Sequence, residues 1–425
     1  MVKKVLIIGA GASGLLLSHY LLKRKELYQI DIYERHGDPT LLTDSKSRTY
    51  PLALNDRGME ALGQIPGLTE KVKANGHEVV GSVSHSYSGK QRVIPRNKAL
   101  TAIDRLSLIK VLLHSLDTED NLKIHFEHPC VRVDLTAKQA YFATPTGDLT
   151  VDYDLIIGAD GARSVVRKAF LDTELFECQQ KYISDDYKTL FLPSKDIEHQ
   201  LDTDKIHTWR TDSGIIIILV PQSDGSLNGV IHFPRSERQI SQLSSATEVI
   251  DFFCKNFPAV ARLMTSEDAS AFLNRPISSN LTVRCNRFHY DDSALLIGDA
   301  AHAVSPALGQ GCNSALEDVS ILNGLFKEYT DDLDRILAQF TARRLLDARA
   351  VVELSDYSLP SQKSLFVEFI LRMRMAQILH QLFPQKFLPP LFQAMHDPNI
   401  SYREIHDRYR GWCNKVKKSK LVSNF

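Results

Sequence analysis

The chain has 425 residues, with 51 basic and 51 acidic side chains and a formal net charge of zero. That balance gives no electrostatic reason to expect a nucleic-acid partner, and the length suffices for two or more compact lobes. Six cysteines (Cys130, Cys178, Cys254, Cys285, Cys312 and Cys413) are scattered with no Cys-x-x-Cys spacing. This suggests neither a zinc site nor a disulfide framework and fits a reducing compartment; no metal is expected. The apolar runs "SGIIIILVP" and "SLFVEFILRMRM" are too short or too charged to cross a bilayer. A soluble, cytoplasmic protein is expected, with membrane contact at most peripheral.

Lys3 and Lys4 precede an apolar run in the manner of a signal peptide, but the run leads directly into a glycine turn, so Val5–Ile8 reads as the first strand. Ala12–Lys25 reads as the helix after it, and "YQIDIYER" as a second strand ending at Glu34. "NLKIHFEHPCVRVDLTAKQAYFATPTGDLTVDYDLIIGADG" reads as a β-meander that returns to the first sheet at Leu155–Ile157. The middle of the chain, with Ser-Asp-Gly and Ser-Leu-Asn-Gly turns, suits an antiparallel sheet. From Ala294 the pattern is strand, Gly/Pro-rich loop, helix. After about Asp331 it is helical, broken at Pro360, Pro384 and Pro389–Pro390. The expected fold class is α/β: a Rossmann-type nucleotide lobe (1–75, 100–175 and 278–345), an inserted antiparallel β-sheet lobe (76–99 and 176–277) and a helical section (346–425). The basic tail from Trp412 is expected to be a solvated end.

"GAGASG" has the physical logic of a dinucleotide turn. Gly9 permits the tight turn, Gly11 lets a phosphate approach the backbone, and Gly14 lets the helix pack on the strand. The pyrophosphate then meets the positive end of the helix. Glu34, at the tip of the second strand, suits ribose hydroxyls and argues against a 2′-phosphate in this site. Nicotinamide and flavin both use this turn. Two later segments, "DLIIGADGARSVVR" and "ALLIGDAAHAVSPALGQGCNSALEDVSIL", favour flavin. Asp299 places a carboxylate where a polyhydroxylated chain can run, and the helix from Gly311 offers free amides to an electron-rich ring edge.

Together, "GAGASG", "GADGARSVVR" and "GDAAHAVSPALGQGCN" resemble the class A flavoprotein aromatic hydroxylases, whose nucleotide lobe is p-hydroxybenzoate hydroxylase-like. "SRTYPLALNDRGMEALGQI", "SHSYSGKQRVIP", "DFFCKNFPA" and "GQGCNSALED" are similar to stretches of the kynurenine 3-monooxygenase family, up to about Arg410. The resemblance implies that FAD is held by Gly9, Gly11, Ser13, Gly14, Glu34, Arg35, Arg48, Ala53, Arg105, Cys130, Asp160, Val165, Asp299, Gly311, Cys312 and Asn313. It implies a reaction chamber over the flavin at Pro306, Leu308, Gly309 and Gln310, with His302 structural. It further implies NADPH or NADH as a transient co-substrate, and dioxygen carried to an aromatic small molecule through a flavin hydroperoxide.

The chain departs from that family where an amino-acid substrate would be gripped. Ser82, Arg96 and Ser358 stand where the family places Arg, Tyr and Asn, and Leu391 or Phe392 where it places Tyr. Ala307 and Leu308 follow Pro306 where the family carries aromatic bulk. Losing one buried charge-assisted contact costs on the order of 2–5 kcal/mol, so a substrate other than kynurenine is expected. Arg96 is the candidate cation for an anionic group. Two alternatives stand beside this reading: kynurenine 3-monooxygenase with a rearranged carboxylate grip, and a non-catalytic GDI-like binding protein, against which the intact "GDAAH" and "GQGCN" segments speak. A flavin halogenase lacks support, since its Trp-x-Trp-x-Ile-Pro stretch is absent. Monomer and homodimer remain open.

Overall fold

The computed structural model describes residues 2–41, 50–86, 90–116, 121–193, 201–360 and 362–422. In chain order the strands begin with β1 (Lys3–Ile8), β2 (Tyr28–Tyr33), β3 (Pro51–Leu54), β4 (His77–His85), β5 (Gln91–Asp104) and β6 (Leu122–His125). A meander follows in β7 (Cys130–Asp134), β8 (Gln139–Thr144) and β9 (Gly147–Asp152), then β10 (Leu155–Gly158). The middle of the chain supplies β11 (Cys178–Leu192), β12 (Lys205–Arg210), β13 (Ile216–Pro221) and β14 (Leu227–Pro234). The last strands are β15 (Ser278–Cys285), β16 (His289–Tyr290) and β17 (Ala294–Leu296).

The first sheet has the order β16-β17-β10-β1-β2-β6, parallel throughout except for the β16–β17 edge. Val5–Ile8 and Leu155–Ile157 are buried on both faces, as a parallel sheet covered by helices requires. Helix Ala12–Leu22 lies against it and has buried residues on every side; it ends short of the expected Lys25 because residues 23–27 form a turn. The second sheet, β15-β11-β14-β13-β12-β4-β5-β3, has eight strands. It is antiparallel except where β12 runs parallel to β4, a crossover the turn signals did not reveal. One face packs Trp209, Ile217, Leu219 and Phe233 against helices Ala246–Asn256 and Ser266–Asn274.

Pro51–Leu54, within the span expected for the nucleotide lobe, pairs instead with β5 in the larger sheet, and β5 runs on through residue 99 to Asp104. β5 therefore passes from one lobe into the other as a single strand. The C-terminal helices enclose a third core of Val351, Leu354, Met395, Tyr402 and Trp412. Trp412 does not open a solvated tail: it is buried within helix Tyr402–Val422, and its indole N–H donates to the Ser358 carbonyl at 2.8 Å.

Candidate cofactor and substrate site

Three glycine-containing loops follow three adjacent parallel strands. Gly9 follows β1, Asp160 follows β10, and Gly298 with Asp299 follows β17, all at the carboxyl edge of the first sheet. Gly9 has φ +105°, and a Cβ there would lie 2.6 Å from the Ala159 carbonyl oxygen. A Cβ on Gly14 would lie 2.2 Å from the Gly9 oxygen. Around Gly11, by contrast, nothing lies within 4 Å. It starts helix Ala12–Leu22 without a side-chain cap, leaving first-turn amides for an anion. Glu34 accepts the Ala10 N–H through Oε2 and the His36 N–H through Oε1, each at 2.9 Å, and so holds the strand-2 tip beside the turn. Arg35 is exposed at this lip. Ser13 faces the third loop, its Oγ lying 3.3 Å from where a Gly298 Cβ would be. Arg48 falls outside the described residues.

Asp160 caps helix Val165–Phe170: Oδ2 accepts the Val165 N–H at 2.6 Å and the Val166 N–H at 3.3 Å. The Val165 amide is thereby engaged by protein. Burial pushes the Asp160 carboxyl up, and its Oδ1 is buried with no partner. Cys130 stands beside it, its thiol raised to about 12 by burial and then by Asp160, which makes it an unreactive wall. Arg167, absent from the sequence-based site, ties two of the loops together by donating to the Ala300 carbonyl at 2.8 Å and the Ala162 carbonyl at 2.6 Å.

Asp299 is open to solvent, yet the walls around it push its carboxyl up, with Arg105 foremost in opposing them. The Cys312 thiol rises to about 12 by burial, again opposed by Arg105. Arg105, Asp299 and Cys312 thus share one deep cleft. Helix Gly311–Glu328 opens into it with no side-chain cap. The Asn313 side chain is fully engaged: its Nδ2 donates to Ala53 O (3.0 Å) and Gly309 O (3.1 Å), and its Oδ1 accepts the Asn55 N–H (3.0 Å). What Ala53, Asn313 and Gly311 offer the cleft is therefore backbone.

In the loop before this helix, Gly309 adopts φ +65°, and Ala307 and Gly309 are exposed. Two expectations need correction. Gln310 does not face a chamber: it is buried, its Nε2 donates to Leu308 O, and its Oε1 accepts from Asn55 Nδ2 (3.2 Å) and the Tyr402 hydroxyl (3.0 Å). Leu308 turns into the C-terminal core beside Val351 and Leu354, leaving Pro306 and Ala307 at the surface of the loop.

A buried charge ladder holds these pieces. Arg57 pairs with Glu317 at 2.6 Å and caps the Met395 and Ile400 carbonyls. Glu317 pairs with Arg344 at 2.8 Å, Arg344 with Asp318 at 2.5 Å, and Asp318 with His302 at 2.6 Å. Asp318 also accepts the Gly298 N–H at 2.8 Å, which sets the elbow that presents Asp299. Burial works to raise the Asp318 carboxyl, but His302 and Arg344 outweigh it and hold it below the usual range. His302 belongs to this ladder, as its structural reading anticipates.

Ser82 lies on the face of the large sheet that carries Ile206, its neighbour on β12. Arg96, further along β5, faces the C-terminal section: it acts on His396, and Asn97 beside it reaches Gln393 at 3.4 Å. Burial lowers the Arg96 guanidinium, its Nε is buried without a partner, and it forms no ion pair among the described residues. The two remaining positions lie in the C-terminal section. Ser358 is wholly buried, and its hydroxyl turns back to the Leu354 carbonyl, the usual recourse of a hydroxyl at a helix end. Leu391 is buried, whereas Phe392 is exposed, with its ring edge-on to Phe369 at 6.5 Å. A separate cavity of about 280 Å³, lined by His85, Trp209, Phe257 and Arg262 among others, contains none of the expected site residues.

Residues 3–355 match the FAD binding domain family. The chain belongs to the FAD-dependent aromatic hydroxylases. Kynurenine 3-monooxygenase of Sus scrofa is 30% identical over 419 residues, covering 97% of this chain and 87% of that protein. The Drosophila willistoni enzyme of that name is 31% identical, covering 94% and 88%. Among solved structures, 2-methyl-3-hydroxypyridine-5-carboxylic acid oxygenase superposes with a TM-score of 0.69 at 18% identity, covering 86% of this chain and 93% of that one. Klebsiella pneumoniae HpxO complexed with FAD gives 0.63 at 17%, covering 97% and 98%. The p-hydroxybenzoate hydroxylase-type fold expected from the three motifs is thus the fold of the family. Among the described residues no helix is long and apolar enough to cross a membrane, and no cluster suited to a metal ion is present.

Gly14→Ala should yield protein that no longer retains FAD through purification, read from the flavin absorbance per chain, because the added methyl meets backbone oxygen. Asp318→Asn leaves Arg344 and His302 buried without their anion, and should lower unfolding stability by about 3–5 kcal/mol in denaturant titration. Since the folded Asp318 carboxyl titrates below its unfolded value, its stabilisation is complete above about pH 4 and falls as pH drops through the lower folded value. The variant should lack that acid-side decline.

Proposed function

We propose that the chain is an NAD(P)H-dependent FAD monooxygenase that hydroxylates an anionic aromatic small molecule other than kynurenine. The observation that carries the substrate part is Arg96: a half-buried guanidinium whose Nε is buried with no partner and which forms no ion pair among the described residues, beside the C-terminal section. Such a cation calls for an anion, and a guanidinium grips a carboxylate in bidentate fashion. The His396 ring next to it is lowered to about 4, by burial and then by Arg96, so it is neutral at pH 7 and leaves the charge to Arg96.

The cleft fits FAD on four grounds: the open space at Gly11, two uncapped helix N-termini, the orphaned Asp160 Oδ1, and Asp299 exposed in a crowded setting. Glu34 would hold the ribose, the Gly11 turn the pyrophosphate, Asp299 and Arg105 the linking chain, and the Gly311–Asn313 amides the ring edge. Bound FAD supplies the passage of electrons from NAD(P)H to dioxygen. The chain itself orients the guest through Arg96, positions it over the Pro306–Gly309 loop, and excludes water with the Val351–Trp412 core behind that loop.

A second reading is kynurenine 3-monooxygenase activity with Arg96 taking the carboxylate, favoured by the relatives at about 30% identity. NAD(P)H oxidation coupled to product, measured with kynurenine and with aromatic carboxylates lacking the amino-acid group, separates the two. Turnover confined to the latter supports the proposal, and tight productive turnover of kynurenine supports the second reading. In either case Arg96→Met should raise KM at least about thirtyfold, equivalent to roughly 2 kcal/mol, with a smaller change in kcat. A colourless protein that takes up no FAD overturns both readings.

A further inference from the structure

Cys178 opens β11 and Cys285 closes β15, and the two residues stand directly opposite each other in the antiparallel register. Their sulfurs are 3.8 Å apart. In the neighbouring pair the Asn286 N–H donates to the Glu177 carbonyl at 3.0 Å. Because hydrogen-bonded and non-hydrogen-bonded pairs alternate along such a ladder, Cys178 and Cys285 form the non-hydrogen-bonded kind, in which side chains lie closest. The Cα separation of such a pair falls within the range a disulfide spans, and the sulfurs need only a rotamer adjustment to bond.

The two thiols are unequal. Cys178 is half-buried and open to a small oxidant, whereas Cys285 is buried. The hydrogen bond from Cys285 is the largest influence lowering the Cys178 thiol to about 7, and Arg167 adds to it. Cys285 is pushed up by the same bond and by burial. The Arg167 Nε is buried with no hydrogen-bond partner, while its terminal nitrogens are committed to Ala162 and Ala300. A thiolate beside it satisfies a guanidinium otherwise left short of an anion. The arrangement is that of an attacking and a resolving cysteine.

We propose that Cys178 and Cys285 form a peroxide-responsive dithiol that closes to a disulfide. The Cys178 thiolate attacks a peroxide oxygen, breaking the O–O bond and becoming a sulfenic acid, while the departing hydroxide takes a proton to become water. The Cys285 sulfur, losing its proton, then attacks the Cys178 sulfur, and the sulfenic hydroxyl leaves as a second water. The dithiol gives up two electrons and two protons, and both electrons reduce the peroxide. A dithiol reductant reverses the step by exchange. Structurally the bond would join the strand that carries the chain out of the first sheet to the strand that brings it back, beside the arginine that ties Ala162 to Ala300.

The test uses the full chain loaded with FAD, treated with equimolar hydrogen peroxide, alkylated, digested and mapped by mass spectrometry. The expected result is a Cys178–Cys285 linked peptide lighter by two hydrogens, reversible by dithiothreitol, forming roughly tenfold sooner than oxidation of the exposed Cys254. Cys285→Ser should halt the reaction at a Cys178 sulfenic acid trapped by dimedone. Oxidation at Cys254 with the pair still reduced, or no trapped sulfenic acid in folded Cys285→Ser, overturns the proposal. The wild-type map decides the matter even if a variant fails to fold.

Discussion

The site rests on a row of buried opposite charges. Arg57, Glu317, Arg344 and Asp318 come from three separate parts of the chain and each neutralises the next where little water reaches, while His302, from a fourth, hydrogen-bonds the Asp318 end. In such surroundings a paired charge is tolerable and a widowed one is strongly unfavourable, so the row holds together or fails together. Its placement gives it more than a packing role. Arg57 takes the Met395 and Ile400 carbonyls and binds the C-terminal section to the nucleotide lobe, while Asp318 takes the Gly298 N–H and fixes the loop that presents Asp299. The nucleotide lobe and the C-terminal section are held in one frame by one electrostatic unit.

Around that frame the cleft is made chiefly of backbone. Its first wall is a glycine turn in which Gly9 and Gly14 approach too closely to admit any side chain, and its last is the uncapped start of helix Gly311–Glu328. Side chains that look like ligands in sequence hold those backbones in place: Asn313 is fully engaged in doing so, and Asp160 spends one of its two oxygens on it. This division suits a large cofactor with its own chemistry: the protein supplies a rigid, oriented mould and a few fixed charges.

The parts of this arrangement that could be read from sequence are those whose cause is local. A glycine turn between strand and helix, an acidic residue at the next strand tip, and a Gly-Asp after a buried strand each carry their geometry within a few residues, so Gly9, Gly14, Glu34 and Asp299 were legible. Which way Gln310, Leu308 and Ser358 point depends on helices that arrive later in the chain, and no short-range pattern encodes it. The ladder was missed for the same reason. Its one sequence trace is the Glu317–Asp318 pair set among apolar residues in "SALEDVSIL", a costly insertion unless cations meet it. The pairing of Pro51–Leu54 with β5 was equally hidden, because a four-residue strand announces no partner.

β5 carries a consequence of its own. It bears Arg96 in its first half and finishes at Asp104, whose carboxylate caps the helix that begins with Arg105. Between Arg96 and Arg105, which faces Asp299, the pairing with β4 shifts register: Pro95 stands opposite Gly81 and Leu100 opposite Val79. Thr101 and Ala102 are held between β3 and β4, whereas Arg96 lies within the irregular stretch. The two cations are therefore positioned by different neighbours: the Arg105 end by two paired strands, and Arg96 by the C-terminal section it faces.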